Sequence, residues 1–278
     1  GYETVTDLRI PCVIDGYTIN AIGAYVFFQD QITSIIIPST ITSIGNSAFG
    51  YNATLENISV NPNNAVYDSR DNCNAIIETS SNKLILGSRN TIIPNTVTTI
   101  GKEAFNTINI ANITIPNSVT TIETRAFSGS KLTSLSIPSS VITIEEDAFL
   151  RNPLENITVD PDNSVYDSRD NCNAIIETSS NKLILGSRNT VIPNTVITIG
   201  KDAFFGNGRA NITIPDSVTT IETNAFYENE ITNIVIPSSV TSLGSTPFFH
   251  NPIESISIDS NNTVYDSRDN CNAIIETS

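Results

Sequence analysis

The 278-residue sequence predicts a mainly β solenoid, a stack of short coils of about 22 residues each. Three observations carry that expectation. In seven pairs a proline closing a short apolar run is followed eleven residues later by a phenylalanine: Pro38/Phe49, Pro94/Phe105, Pro116/Phe127, Pro138/Phe149, Pro193/Phe204, Pro215/Phe226 and Pro237/Phe248. An eighth pair, Pro11/Phe27, is stretched by five residues. Within a run the unit recurs every 22 residues, as at Phe105, Phe127 and Phe149. Finally, the residues before each proline alternate apolar and polar, which is the period of a strand with one buried face.

Residues 132–149 show how each element of a coil arises. Leu135 and Ile137 alternate with Ser134 and Ser136, so this segment reads as a leading strand. Pro138 cannot donate to a ladder and ends it, and Ser139 and Ser140 supply turn chemistry. Val141 and Ile144 then point back inward from a second short extended segment. Ala148 allows close approach while Phe149 fills the gap between neighbouring coils. Stacked coils align Phe49, Phe105, Phe127, Phe149, Phe204, Phe226 and Phe248 as a structural spine inside the protein.

A second period overlies the first. The segment Val-Tyr-Asp-Ser-Arg-Asp-Asn-Cys-Asn-Ala-Ile-Ile-Glu-Thr-Ser begins at Val66, Val165 and Val264, 99 residues apart. It continues as Asn82-Lys-Leu-Ile-Leu-Gly87 and Asn181-Lys-Leu-Ile-Leu-Gly186, which predicts a β-hairpin inserted into the coil. Val13 to Ile19 reads as another hairpin turning at Asp15-Gly16. No domain boundary is visible: residues 1–278 read as one array with interruptions near 66–92, 165–191 and 264–278. The absence of methionine, even at position 1, and the stop at Ser278 partway through a repeated segment suggest a portion of a longer chain.

The recurring unit Leu-x-x-Ile-x-Ile-Pro-x-x-Val-x-x-Ile-Gly/Glu-x-x-Ala-Phe matches residues 32–49, 110–127, 132–149 and 231–248, the last with Pro247 in place of the alanine. It resembles the BspA-type, or Treponema pallidum-type, leucine-rich repeat of bacterial surface proteins. The resemblance implies a right-handed leucine-rich-repeat solenoid with inserted β-hairpins. It also implies an extracellular or cell-surface adhesion and protein-interaction module that is not an enzyme. Its partner would be a protein ligand, of the host extracellular matrix or of another bacterial surface. Its place would be outside the cell or on the outer cell surface, held by a signal or lipoprotein segment not present here. A glycan-binding module is the alternative, and a solenoid polysaccharide hydrolase the third reading.

Composition narrows the partners. Lys and Arg number 14 against 29 Asp and Glu, a formal charge of -15 that repels nucleic acid phosphates and anionic lipid headgroups. The longest apolar runs, such as Ile35 to Ile37, fall far short of the roughly 20 residues needed to cross a bilayer. Cys73, Cys172 and Cys271 occupy equivalent places in the three copies. Several coils apart at about 4.8 Å each, they lie beyond disulfide reach and read as free thiols.

Catalytic and metal-ligating patterns are weak. The single histidine, His250, has no serine or cysteine motif to activate. The stretch Asp160 to Asn171 is rich in oxygen ligands, but lacks the glycine and closing glutamate of an EF-hand loop. Asx-turn capping, with Arg169 paired to a neighbouring carboxylate, is the expectation there. No catalytic residue, metal ligand or cofactor is assigned. The candidate interaction surface has two parts. One comprises rows of small polar residues on the leading strands: Asn112, Ser134, Asn156 and Asn211, then Thr114, Ser136, Thr158 and Thr213. The other is the repeated turn Tyr166, Asp167, Arg169 and Asp170, where the 22-residue period is broken.

Overall fold

The computed structural model describes residues 6–268 and 272–277. These residues form short β-strands with two 3-10 turns, Arg70–Asn72 and Arg169–Asn171. They cluster into two compact units, Gly1–Leu132 with Ser140–Leu150, and Thr133–Ser139 with Arg151–Ser278. Each unit is a leucine-rich-repeat solenoid of coils near 22 residues.

In the first unit the leading strands Asp7–Arg9, Ser34–Ile37 and Asn57–Val60 pair in parallel. A second ladder joins Thr99–Ile100, Thr121–Ile122 and Thr143–Ile144, with Thr99, Thr121 and Thr143 in register at the 22-residue spacing. In the second unit Ser134–Ile137 pairs with Asn156–Val159, and Asn233–Ile236 with Ser255–Ile258. Its second ladder runs through Thr198–Ile199, Thr220–Ile221 and Ser242–Leu243.

The predicted hairpins form, and they are built into the core. Ala75–Glu78 pairs antiparallel with Lys83–Gly87, and Tyr67–Asp68 adds a third antiparallel strand. Lys83–Gly87 then pairs in parallel with Thr99–Ile100, so the hairpin starts the second ladder. Ile76, Ile77 and Leu84 are fully buried. Ala174–Glu177 and Lys182–Gly186 repeat the arrangement in the second unit, and Val13–Ile14 with Tyr17–Thr18 forms the N-terminal hairpin. There Asp15 and Gly16 take φ of 51° and 82°, the left-handed pair that matches strand twist in a two-residue turn.

Phenylalanine stacking organises both interiors. Phe105 and Phe127 stack at 5.0 Å, Phe127 and Phe149 at 5.3 Å, Phe204 and Phe226 at 5.0 Å, and Phe226 and Phe248 at 5.5 Å. Phe27 and Phe49 form a separate stacked pair at 5.5 Å. A glycine backbone meets the first ring of each longer row. A Cβ at Gly87 would lie 1.9 Å from Phe105 Cε1, and one at Gly186 2.0 Å from Phe204 Cε1. Only glycine leaves the ring its place.

Two left-handed residues flank every one of these phenylalanines. Those two positions before it, from Tyr25 to Thr246, have φ of 49–59°, and those two after it, from Gln29 to His250, have φ of 55–65°. Such φ values cost an L-residue about 1–2 kcal/mol, and only Gly129 and Gly206 in the set are glycine. The alternation turns successive N–H groups toward the adjoining coil. Thus Glu103, Phe105 and Thr107 donate to Thr124, Ala126 and Ser128, at 3.1, 2.7 and 2.8 Å. These bonds offset the strain by satisfying backbone groups buried in the corner.

Candidate interaction surface

The repeated Asp-Ser-Arg-Asp turn is internally satisfied. Arg169 Nε donates to Asp167 Oδ1 at 2.8 Å and Nη2 to Asp167 Oδ2 at 2.5 Å, a bidentate pair. Its Nη1 donates to Asn181 Oδ1 at 2.7 Å. Burial pushes the Asp167 carboxyl up, but the hydrogen bonds and charge of Arg169 outweigh it and hold the group below its ordinary value. The hydrogen bond to Asp167 in turn raises Arg169. Asp170 is exposed with φ of 58°. Ahead of the turn, Asp160 Oδ1 accepts the Asp162 N–H at 2.9 Å, an Asx turn.

Tyr166 is corrected as a surface residue. It is only 6% exposed, because its strand pairs antiparallel with Ala174–Glu177 and carries the ring inward.

The small polar rows also differ from a continuous ladder. Ser134, Ser136, Asn156 and Thr158 lie on paired strands, with Ser134 opposite Asn156 and Ser136 opposite Thr158. Ser134 is half-buried and the other three are exposed. Asn112 and Thr114 in the first unit, and Asn211 and Thr213 in the second, are exposed on extended segments outside the leading strands. Side chains intercept the backbone of the preceding coils. Thr91 Oγ1 donates to Asn74 O at 2.7 Å, and Arg209 Nη2 donates to Thr190 O at 2.7 Å.

Arg209 is itself only 8% exposed. Its Nη1 also donates to Ser187 O and Arg188 O at 3.3 and 3.1 Å, and its guanidinium lies 5.4 Å from the centre of the Phe204 ring. Burial lowers its pKa from the ordinary arginine value. Beside it opens a depression of about 780 Å³ lined by Val191, Asn211, Thr213, Asn233 and Val235. Val191 is 75% exposed and Val235 60%, so apolar groups flank the amides and hydroxyl.

Two sets of asparagines carry structure that the strand pattern does not reveal. Asn52, Asn229 and Asn251 stand three residues after a spine phenylalanine. Asn229 accepts the Arg209 N–H at 2.9 Å and donates to Phe204 O and Phe226 O at 2.8 and 3.0 Å. Asn64, Asn163 and Asn262 clamp the interruptions. Asn64 accepts the Val66 and Tyr67 N–H groups at 2.9 and 2.8 Å and donates to Pro38 O and Ile41 O at 2.8 and 2.9 Å. Their recurrence at fixed distances from the phenylalanines and from the valines of the 99-residue segment is the signal that locates them.

Cys73 and Cys172 are buried free thiols, and burial pushes both pKa values up. Cys12 is free and exposed, and Cys271 lies outside the described residues. No helix among the described residues is long and apolar enough to cross a membrane.

The surface carries aromatics as well, at the corner just after the spine. In the second unit Phe205 stacks on Tyr227 at 4.7 Å, and Tyr227 meets Phe249 at 5.7 Å. His250 stands edge-on to Tyr227 and Phe249, at 5.2 and 4.4 Å. Arg151 lies over Phe205 at 5.0 Å and pairs with Glu228 at 3.0 Å.

The chain is similar to several solved structures of bacterial proteins. A leucine rich cell surface protein of Faecalibacterium prausnitzii is 26% identical over 91% of this chain and 69% of its own, with a TM-score of 0.53. A leucine-rich repeat protein of Eubacterium ventriosum is 21% identical over 87% and 66%, with a TM-score of 0.57. The pneumococcal vaccine antigen PcpA is 20% identical over 94% and 74%, with a TM-score of 0.51. None of the curated proteins matches the sequence. The family described as BspA type leucine rich repeat region matches in six copies, over residues 13–80, 86–179 and 185–275. With nearly the whole sequence accounted for by that repeat, the chain belongs to the BspA-type leucine-rich repeat family.

Proposed function

We propose that the protein is an extracellular or cell-surface protein-interaction module, used for adhesion to host matrix or to other bacteria and without catalytic activity. The observation that carries this reading is the broad, open surface of the second unit. Val191 and Val235 project beside Asn211, Thr213 and Asn233, mixing apolar contact with hydrogen-bonding groups over several coils. A face that mixes exposed apolar and hydrogen-bonding groups across coils suits a macromolecular partner. The F. prausnitzii relative, described as a cell surface protein, supports the location.

The test is a binding panel of purified matrix proteins and bacterial surface fractions against the whole chain, with salt raised stepwise. Saturable binding that persists near 0.15 M salt, where the Debye length is about 8 Å, is expected. Absence of binding across the panel, or binding that vanishes with modest salt, contradicts the reading.

A further inference from the structure

We infer that the corner formed by Phe205, Tyr227 and Phe249, with Arg151, Glu228 and His250, is a docking site for a polypeptide segment bearing arginine or lysine beside an apolar side chain. This rests on the protein-interaction reading and gives it a place and a partner chemistry.

The two 99-residue copies provide the first argument. Phe205, Tyr227 and Phe249 occupy the positions of Asn106, Ser128 and Leu150 in the first copy. The adjacent spine positions are phenylalanine in both copies, so the coil already has its interior ring. Phe249 is 54% exposed. Its exposure places a large apolar group at the surface beyond what the shared frame uses.

Charge supplies the second argument. At the same corner Gly129, Lys131 and Arg125 of the first copy become Glu228, Glu230 and Asn224 in the second. These three changes remove two cations and add two carboxylates, while at neighbouring positions Asp147 becomes Thr246 and Arg151 becomes His250. Aromatic rings beside carboxylates recognise cations, the ring through its negative face and the carboxylate through ion pairing.

The third argument is a cation already seated in that manner. Arg151 lies over the Phe205 ring and pairs with Glu228. Mutual stacking covers faces of Phe205 and Tyr227, leaving Phe249 at the exposed end of the row. A partner arginine or lysine repeats the Arg151 arrangement over Phe249, while its neighbouring apolar side chain packs along the ring edges.

The whole chain is presented with a library of random dodecapeptides at about 0.15 M salt, and with a glycan array in parallel. Enriched peptides are expected to pair a cation with an aromatic or aliphatic residue. Phe249→Ala and Glu228→Gln are each expected to weaken the best peptide roughly tenfold, with an unchanged far-UV spectrum. Tyr17→Ala, at an exposed ring of the N-terminal hairpin in the first unit, should leave binding intact. Enrichment without cations, no enrichment, equal binding by Phe249→Ala, or a glycan lost in Phe249→Ala while no peptide enriches overturns this site. If the matrix and surface-fraction panel still binds Phe249→Ala fully, the broader interaction reading stands and only this site falls.

Discussion

In the first copy of the 99-residue unit Phe105 and Phe127 stack at 5.0 Å, and in the second Phe204 and Phe226 do the same. Lys83 meets Glu123 at 2.7 Å, and Lys182 meets Glu222 at 2.8 Å. Arg70 grips Asp68 at 2.6 Å as Arg169 grips Asp167 at 2.5 Å. The copies part company after the spine ring. Asn106 and Ser128 give way to Phe205 and Tyr227, and the buried Ile108 and Ile110 give way to Asn207 and Arg209. One frame therefore tolerates two chemistries at its corner. The corner's backbone is held by left-handed residues and coil-to-coil hydrogen bonds, and these persist in both copies while the side chains beside them change.

If the frame is shared, equivalent spine truncations in the two copies should cost alike. Phe127→Ala and Phe226→Ala are each expected to lose about 3–5 kcal/mol, because both rings are fully buried and stacked on both sides. Urea unfolding measures this, and a difference of several kcal/mol between them would break the equivalence.

The polar support beneath the spine should differ between copies. Asn229→Ala removes a side chain that bridges backbone groups of two coils, and should cost about 1–3 kcal/mol. Ser130 makes a single 2.7 Å bond to Phe105 O at the matching position in the first unit, so Ser130→Ala should cost about 1 kcal/mol. Equal losses would show that the asparagine adds nothing to the corner.

The repeated turn offers a smaller, pH-dependent effect. The folded state holds the Asp167 pKa below its ordinary value of 3.8. The corresponding stability is present above that value and is lost as pH falls through the depressed folded pKa. The stability gap between the wild type and Asp167→Asn should therefore be widest near neutrality and shrink on acidification below 3.8. Unfolding curves across pH check this, and a constant gap would mean that the Arg169 pair contributes no linkage.

Much of this frame was legible in the residues. The eleven-residue step from proline to phenylalanine fixes where the strand ends and where the ring enters, and Asp15-Gly16 marks its hairpin turn. The corner was harder to read because its left-handed positions hold Tyr25, Ser47, Glu103 and Arg125, residues whose types carry no left-handed signature. Gly87 and Gly186 resembled strand ends, although their role is to leave room for a ring of the adjoining coil. Tyr166 looked available because it stands in a polar turn, yet strand alternation carries it inward. The outer aromatics escaped the rows of the leading strands because they follow the spine phenylalanine, at the far corner of the coil.

The central claim is that the frame holds the stability while the second copy's corner adds a surface. The most direct test returns that corner to the first copy's residues with Phe205→Asn, Tyr227→Ser and Phe249→Leu together, and measures the unfolding free energy in urea. Each of these rings is at least partly exposed and is replaced by the residue that the same frame carries in the first copy, so the triple variant is expected to lose less than Phe226→Ala alone. A triple variant that loses as much as Phe226→Ala, or fails to fold, would place these rings in the frame and contradict the account.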